Sequence, residues 1–453
     1  MSEGNDSGKP NNLMVRLSIM MFLQFFIWGA WFLTINLYLP TKGVAGGSEY
    51  YAFTAHPLAA MIAPFFIGLF ADRFFNTEKL LGVLFLLSGV TMVGMSYIGE
   101  LAGTPVAFAD VDGAQVAIKT NIELFGNVYD KATVFDWLIL AHMLAYMPTL
   151  GLTASLSFAH LKGNEDFPKV RLWGTIGWIM SGAVILSLVL KGERDVIQFY
   201  LAAAACFVLG VFCFTLPKTP APSKGEKLNI RNLLFLDAIS QLKNKNFFVF
   251  IFCSFLLCIP LQAYYANLQT QMSVMNMPYI AFMKNLGTIV EALMMFSMAF
   301  FFRKLGVKWM IAAGIGAWVL RYVLFAMGAS QAMVSLVIFG ILLHGICYDF
   351  FFVTGQIYVD KSTPEKIRGQ AQSMLIFFTQ GVGMYVGAKL NFGYLGPNAF
   401  KNEQGEAIMQ NAKESLPYWP NFWWPLCALS AVILLIFVIF FKYKDDGNTE
   451  FSH

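Results

Sequence analysis

Nothing constrains the folding of this chain more than its apolar runs of about twenty residues, which recur from one end to the other. Their approximate limits are 13–39, 50–71, 79–98, 134–159, 169–190 and 196–216, then 246–270, 279–302, 308–328, 331–355, 368–390 and 421–442. A helix of that length crosses a hydrocarbon core about 30 Å thick. Inside lipid every backbone N–H and C=O must be paired within the protein, which helices achieve segment by segment. Of 453 residues, 57% are hydrophobic and 13% charged, more apolar surface than a soluble core can absorb, so the surplus must face lipid. The expectation is an all-α membrane protein of twelve transmembrane helices in two six-helix halves.

The first run is too long for a signal-peptide core and lacks a small-residue cleavage site, so it reads as a retained helix. Before it, residues 1–12 are polar and read as a disordered cytoplasmic tail. Residues 13–216 form the N-terminal half, 217–245 a basic linker, 246–442 the C-terminal half and 443–453 a second tail. The linker holds Lys218, Lys224, Lys227, Arg231, Lys243 and Lys245. Lysine and arginine collect on the side that also carries both tails. Loop 99–133 instead has Glu100, Asp110, Asp112, Glu123 and Asp130 against Lys119 and Lys131, and loop 391–420 is mixed in charge. By the positive-inside rule both termini are cytoplasmic. All six cysteines fall in apolar runs without metal-ligand spacing and read as packing residues; no metal site is expected. The net charge of +4 is small and forms no basic run of the kind that binds nucleic acid.

After the second run comes Gly68-Leu69-Phe70-Ala71-Asp72-Arg73. A glycine followed four residues later by Asp-Arg resembles the cytoplasmic signature of the major facilitator superfamily, whose plan is two halves of six helices joined by a basic linker. Gly68 would permit close helix approach, and Asp72 and Arg73 would act in the inward gate. In the second half, Arg303-Lys304-Leu305-Gly306-Val307-Lys308 keeps only the basic character.

The polar residues within the runs carry the functional reading. Arg171, Thr175 and Trp178 are four and then three residues apart at the start of the fifth run, which puts a cation, a hydroxyl and a ring on one helix face. That face suits the wall of a pocket for a polar, partly aromatic molecule. The same arginine could instead snorkel to the headgroups while Trp178 packs. Glu291 lies about 18 Å, and Asp349 about 16 Å, from the inner boundary at the helical rise. At that depth an ionised carboxylate is expensive, and a group that takes up a proton on one side and releases it on the other is what symport requires. A static ion pair is the alternative, with Arg321 as a partner for Asp349. Thr288 and Glu291 are three apart, as are Gln262 and Tyr265 just after Pro260. His344 and Tyr348 are four apart beside Asp349. A membrane histidine is as readily a satisfied hydrogen-bonder as a ligand, which covers His142 and His344. His56, His160 and His453 lie near ends or in the tail and carry no reading.

Five segments complete the picture: Phe22-Leu23-Gln24-Phe25-Phe26-Ile27-Trp28-Gly29-Ala30-Trp31, Ala145-Tyr146-Met147-Pro148-Thr149-Leu150-Gly151-Leu152, Arg171-Leu172-Trp173-Gly174-Thr175-Ile176-Gly177, Trp318-Val319-Leu320-Arg321 and Tyr348-Asp349-Phe350-Phe351. Together they resemble the nucleoside:proton symporter family of the major facilitator superfamily, nearly end to end. The resemblance implies a central nucleoside site in the bacterial cytoplasmic (inner) membrane. Its arginine and threonine fall on Arg171 and Thr175, its aromatic one turn on at Trp178, its glutamine on Gln262, its glutamate on Glu291 and its tenth-span acid on Asp349. The chain departs from the pattern at Tyr265, where the family has asparagine, at Thr288 for glutamine, at His344 for tyrosine and at Tyr348 for phenylalanine. Amides read both base edges and sugar hydroxyls, so losing two leaves open a proton-linked carrier of a different sugar or glycoside, or an exporter.

The expectation is therefore a monomeric proton-coupled nucleoside importer that works by alternating access and uses no cofactor beyond the proton. Substrate-binding candidates are Arg171, Thr175, Trp178, Gln262, Tyr265, Thr288, Glu291, His344 and Tyr348, and proton-coupling candidates are Glu291 and Asp349. An enzyme or an ATP-driven pump is disfavoured, because no His-Glu-x-x-His, no Cys–His cluster and no nucleotide-binding glycine loop occurs.

Overall fold

A helix lies on each of the apolar runs. The computed structural model describes residues 10–42, 44, 48–66, 74–111, 114–161, 166–188, 196–221, 235–364 and 367–443. In the first half these helices are α1 (Pro10–Phe32), α2 (Ser48–Phe66), α3 (Thr77–Glu100), α4 (Lys131–His160), α5 (Asp166–Leu188) and α6 (Ile197–Cys213). In the second they are α7 (Lys245–Val274), α8 (280–305), α9 (307–330), α10 (Val334–Ser362), α11 (368–399) and α12 (Trp419–Phe440). Helices α8 and α9 run into one another through Gly306, whose backbone (φ 66°, ψ 175°) kinks the chain in a region that favours glycine. Among the described residues, seven helices satisfy both length and hydropathy for a crossing on their own. Gly68, Asp72 and Arg73, the expected gating signature, lie outside the described residues.

Each half has its own core. One buried cluster draws on residues from Leu17 to Leu216 together with Ala266 of α7, the other on residues from Phe235 to Phe441. Buried amides lock each half internally. In the first, Gln24 on α1 donates to Thr149 Oγ1 (3.1 Å) and accepts from Thr153 Oγ1 (2.9 Å), both on α4 beside Pro148. In the second, Gln271 on α7 donates to the Phe325 carbonyl of α9 (3.1 Å) and accepts from Trp423 Nε1 of α12 (2.8 Å). A satisfied amide buried in an apolar bundle holds helix register, since breaking it leaves polar groups stranded in hydrocarbon. All six cysteines are buried within these cores.

Between Glu100 and Lys131, loop 99–133 is not helical. It folds into a three-stranded antiparallel sheet of β1 (Thr104–Val111), β2 (Ala114–Leu124) and β3 (Asn127–Asp130), with Phe125–Gly126 turning β2 into β3. The all-α architecture therefore carries one small sheet outside its bundle. Lys131 seats it, donating to the Gly99 and Leu101 carbonyls at the end of α3 (3.0 and 3.1 Å), where a cation meets the negative end of the helix.

At the sheet-bearing end the halves are joined directly. Asn36, just after α1, donates its amide to the Ala266 carbonyl of α7. Gln262 of α7 donates to the Phe53 carbonyl of α2 (3.2 Å), and Asn285 of α8 to the Ile179 carbonyl of α5 (3.2 Å).

Candidate functional site

The two halves enclose a cavity of about 150 Å³ walled by α1, α2 and α5 on one side and α7, α8, α10 and α11 on the other. Helix α5 reaches it by lying hard against α1: a side chain at Gly177 would strike the Phe22 carbonyl. That approach sets the Arg171–Thr175–Trp178 face on the cavity. The Arg171 guanidinium rests over the Phe25 ring, 4.0 Å from its centroid, so this cation packs inside the bundle and does not reach for headgroups. Trp178 meets Trp28 edge-on (5.6 Å, 84°), and Phe32 bridges from Trp178 to Tyr265 of the other half.

Tyr265, Thr288, Glu291, His344 and Tyr348 form the facing wall. Eight of the nine substrate-binding candidates thus share one cavity. Gln262 does not. It is 1% exposed, with its amide committed to Phe53, because α7 is rotated so that Tyr264 and Tyr265 face inward.

Glu291 is the one cavity-lining carboxylate among the described residues, and His344 Nε2 lies 3.5 Å from its Oε2. Asp349 stands elsewhere. It is fully buried at the start of a wide π-helical turn, Asp349–Val353, and neither carboxylate oxygen has a hydrogen-bond partner among the described residues. The alternative, a static ion pair with Arg321, is not formed. Arg321 instead donates to the Gly340 carbonyl (3.0 Å) and contacts His344 Nδ1 (3.2 Å), because α9 presents it to the earlier turns of α10.

Several lining residues went unread. Lys284 is one turn before Thr288 on the same α8 stripe, so spacing alone would have found it; its Nζ is 3.3 Å from Gln269 Oε1. His56 packs on Trp28 (5.3 Å) in spite of its place near the end of a run. Gln380 and Met384 come from α11, which carries no periodic polar signal. His142 is a buried hydrogen-bonder, 3.4 Å from Thr91 Oγ1 and from the Ser88 carbonyl, away from the cavity. The cavity therefore offers flat aromatic faces, two cations, one carboxylate, several hydroxyls and the Gln380 amide. These groups suit a planar ring joined to a polyhydroxylated portion.

The family model for nucleoside H+ symporters matches residues 11–106 and 117–446. This chain belongs to the nucleoside H+ symporter family. Among its relatives, the putative nucleoside transporter YegT of Escherichia coli (strain K12) is 34% identical over 443 residues, covering 96% of this chain and 95% of YegT. Nucleoside permease NupG of the same organism is 27% identical over 464 residues, 98% of this chain and all (100%) of NupG. The crystal structure of NupG superposes with a TM-score of 0.74 at 26% identity, over 96% of this chain and 100% of that one. A D-xylose–proton symporter structure (TM-score 0.68, 12% identity, 96% of this chain and 99% of that one) shares the fold. The chain is a multi-pass membrane protein of the major facilitator type, from a family of transporters.

Proposed function

We propose that this protein imports nucleosides across a bacterial cytoplasmic membrane, driven by protons and by alternating access. The observation that carries this reading is the cavity itself, which sits between the halves with an aromatic and cationic face on α5 opposite a carboxylate on α8. Trp178, Trp28 and Phe32 offer stacking faces to a base. Arg171, Thr175, Thr288 and Tyr348 supply hydrogen bonds to its edge and to the sugar. Glu291, at the cavity, takes and releases the coupling proton, and Asp349 behind it is the second candidate. With both termini cytoplasmic, the links at the sheet-bearing end (Asn36 to Ala266, Gln262 to Phe53, Asn285 to Ile179) close the outer face. They must part when the site opens outward. The carrier works as a monomer in the bilayer and uses no cofactor but the proton.

The test is uptake of labelled uridine into proteoliposomes with and without an inward proton gradient, competed by other nucleosides and by free sugars. Gradient-driven accumulation competed by nucleosides supports the reading. Accumulation of a sugar with uridine ignored replaces the substrate and keeps the coupling.

A further inference from the structure

Arg321 is fully buried, yet it does not line the cavity. Its guanidinium is gripped between the Tyr264 and Trp318 rings (4.5 and 4.6 Å) and anchored through Nε to the Gly340 carbonyl. Nη2 points at His344 Nδ1, 3.2 Å away, while Nη1 has no hydrogen-bond partner among the described residues. A guanidinium only donates. Nδ1 must therefore accept, and a neutral imidazole then carries its hydrogen on Nε2, the nitrogen that faces Glu291. An imidazolium would set an N–H against the guanidinium. The ring cannot readily turn over, because it is stacked on Tyr264 (5.7 Å, 25°) and closely backed by α8 at Gly287.

We propose that Arg321 is a positioning residue: it holds His344 in the Nε2–H form and so directs one hydrogen-bond donor at Glu291. His344 on this view conveys orientation and keeps its Nε2 hydrogen throughout, and the coupling proton rides on the Glu291 carboxylate alone. The proposal rests on the reading that Glu291 couples transport to protons. It deepens that reading by adding a residue that touches neither substrate nor the coupling carboxylate.

The test uses the full chain reconstituted in lipid with ¹⁵N-labelled histidine. Nitrogen NMR separates the two neutral tautomers from imidazolium, and a His344→Gln difference spectrum assigns the ring among the five histidines. His344 is expected as the neutral Nε2–H form. Arg321→Lys, which keeps the charge but loses the fork, should mix the tautomers. It should also lower the maximal rate of gradient-driven uptake roughly tenfold or more, with little change in KM. His344→Phe keeps the ring stack, removes the donor and should lower the rate as far. The double variant should be no worse than either single one, since both break one chain of contacts. A wild-type His344 in the Nδ1–H or imidazolium form overturns the proposal, as does additive loss in the double variant or a wild-type rate in His344→Phe. The wild-type spectrum decides even if Arg321→Lys fails to fold. It also separates the two readings: an Nε2–H ring in a protein that transports no nucleoside upholds the positioning and removes only the substrate assignment.

Discussion

Glu291→Gln is the substitution from which most can be learned, because its effect on accumulation follows from counting cavity carboxylates. Glu291 lines the cavity, whereas Asp349 is wholly buried behind it. If only the exposed group exchanges its proton in each cycle, one proton moves per nucleoside. Each pH unit is then worth about 1.4 kcal/mol, a factor of about ten in concentration. Across a gradient of about two units, with the membrane potential clamped at zero, the wild type should accumulate nucleoside roughly a hundredfold. A second proton on Asp349 would square that ratio. Glutamine keeps the shape of Glu291 and removes its titration. The variant should therefore bring internal and external nucleoside to about the same level at any gradient, while exchange of labelled for unlabelled nucleoside across the membrane continues. The assay is the steady-state ratio in proteoliposomes as a function of the pH difference, beside counterflow at equal pH. A variant that still accumulates nucleoside against its gradient refutes the reasoning, and a wild-type ratio that climbs roughly a hundredfold per unit refutes the count of one.

Other consequences can be checked separately. Trp178→Ala removes the one aromatic ring that α5 presents to the cavity and should raise KM for nucleosides about tenfold, the scale of base–aromatic stacking, with a smaller rise for Trp178→Phe; an unchanged KM would mean the ring only packs. Gly177→Ala drives a methyl into the Phe22 carbonyl and should destabilise the protein by about 1–3 kcal/mol, visible as a lower unfolding temperature in detergent. An unaltered Tm would show that α1 and α5 can separate without cost. Joining Asn36→Cys to Ala266→Cys with a short thiol cross-linker should stop uptake, and a cleavable linker should restore it on reduction. Uptake that continues through the cross-link would show that the halves need not part at the sheet-bearing end.

How much of this was legible in the sequence depended on which physical constraint acted on each residue. The lipid-spanning helices are legible in position though not in their ends (355 against Ser362 in α10, 390 against Ala399 in α11), because hydrocarbon excludes unpaired backbone and demands long apolar stretches. The same solvent makes polar residues within those stretches rare, so Arg171, Thr175 and Trp178, and likewise Thr288 and Glu291, stood out at helical spacing before any coordinates existed. The sheet gives no comparable signal, because a loop outside the membrane answers to ordinary strand rules, and the alternation Val106, Phe108 on β1 is short.

Spacing along one helix says which residues share a face but not which way the face turns. Gln262 and Tyr265 are three apart on α7, yet Gln262 is spent on the Phe53 carbonyl and only Tyr265 reaches the cavity. Depth likewise says that a charge needs company without naming the companion. Depth and sign make Arg321 a candidate partner for Asp349 in the ion-pair alternative, but the rotation of α9 against α10 gives the arginine to His344. The consequence reaches function. Paired with Arg321, Asp349 would be a fixed ion pair, silent in transport. Left without a hydrogen-bond partner among the described residues, it stands as a buried carboxylate whose protonation state the rest of the bundle does not fix. Glu291 differs from it in facing the cavity, where bound substrate can change its surroundings. The two carboxylates, alike in sequence as mid-membrane acids, thus sit in different surroundings, one at the cavity and one buried behind it, through helix rotations that no single-helix pattern encodes.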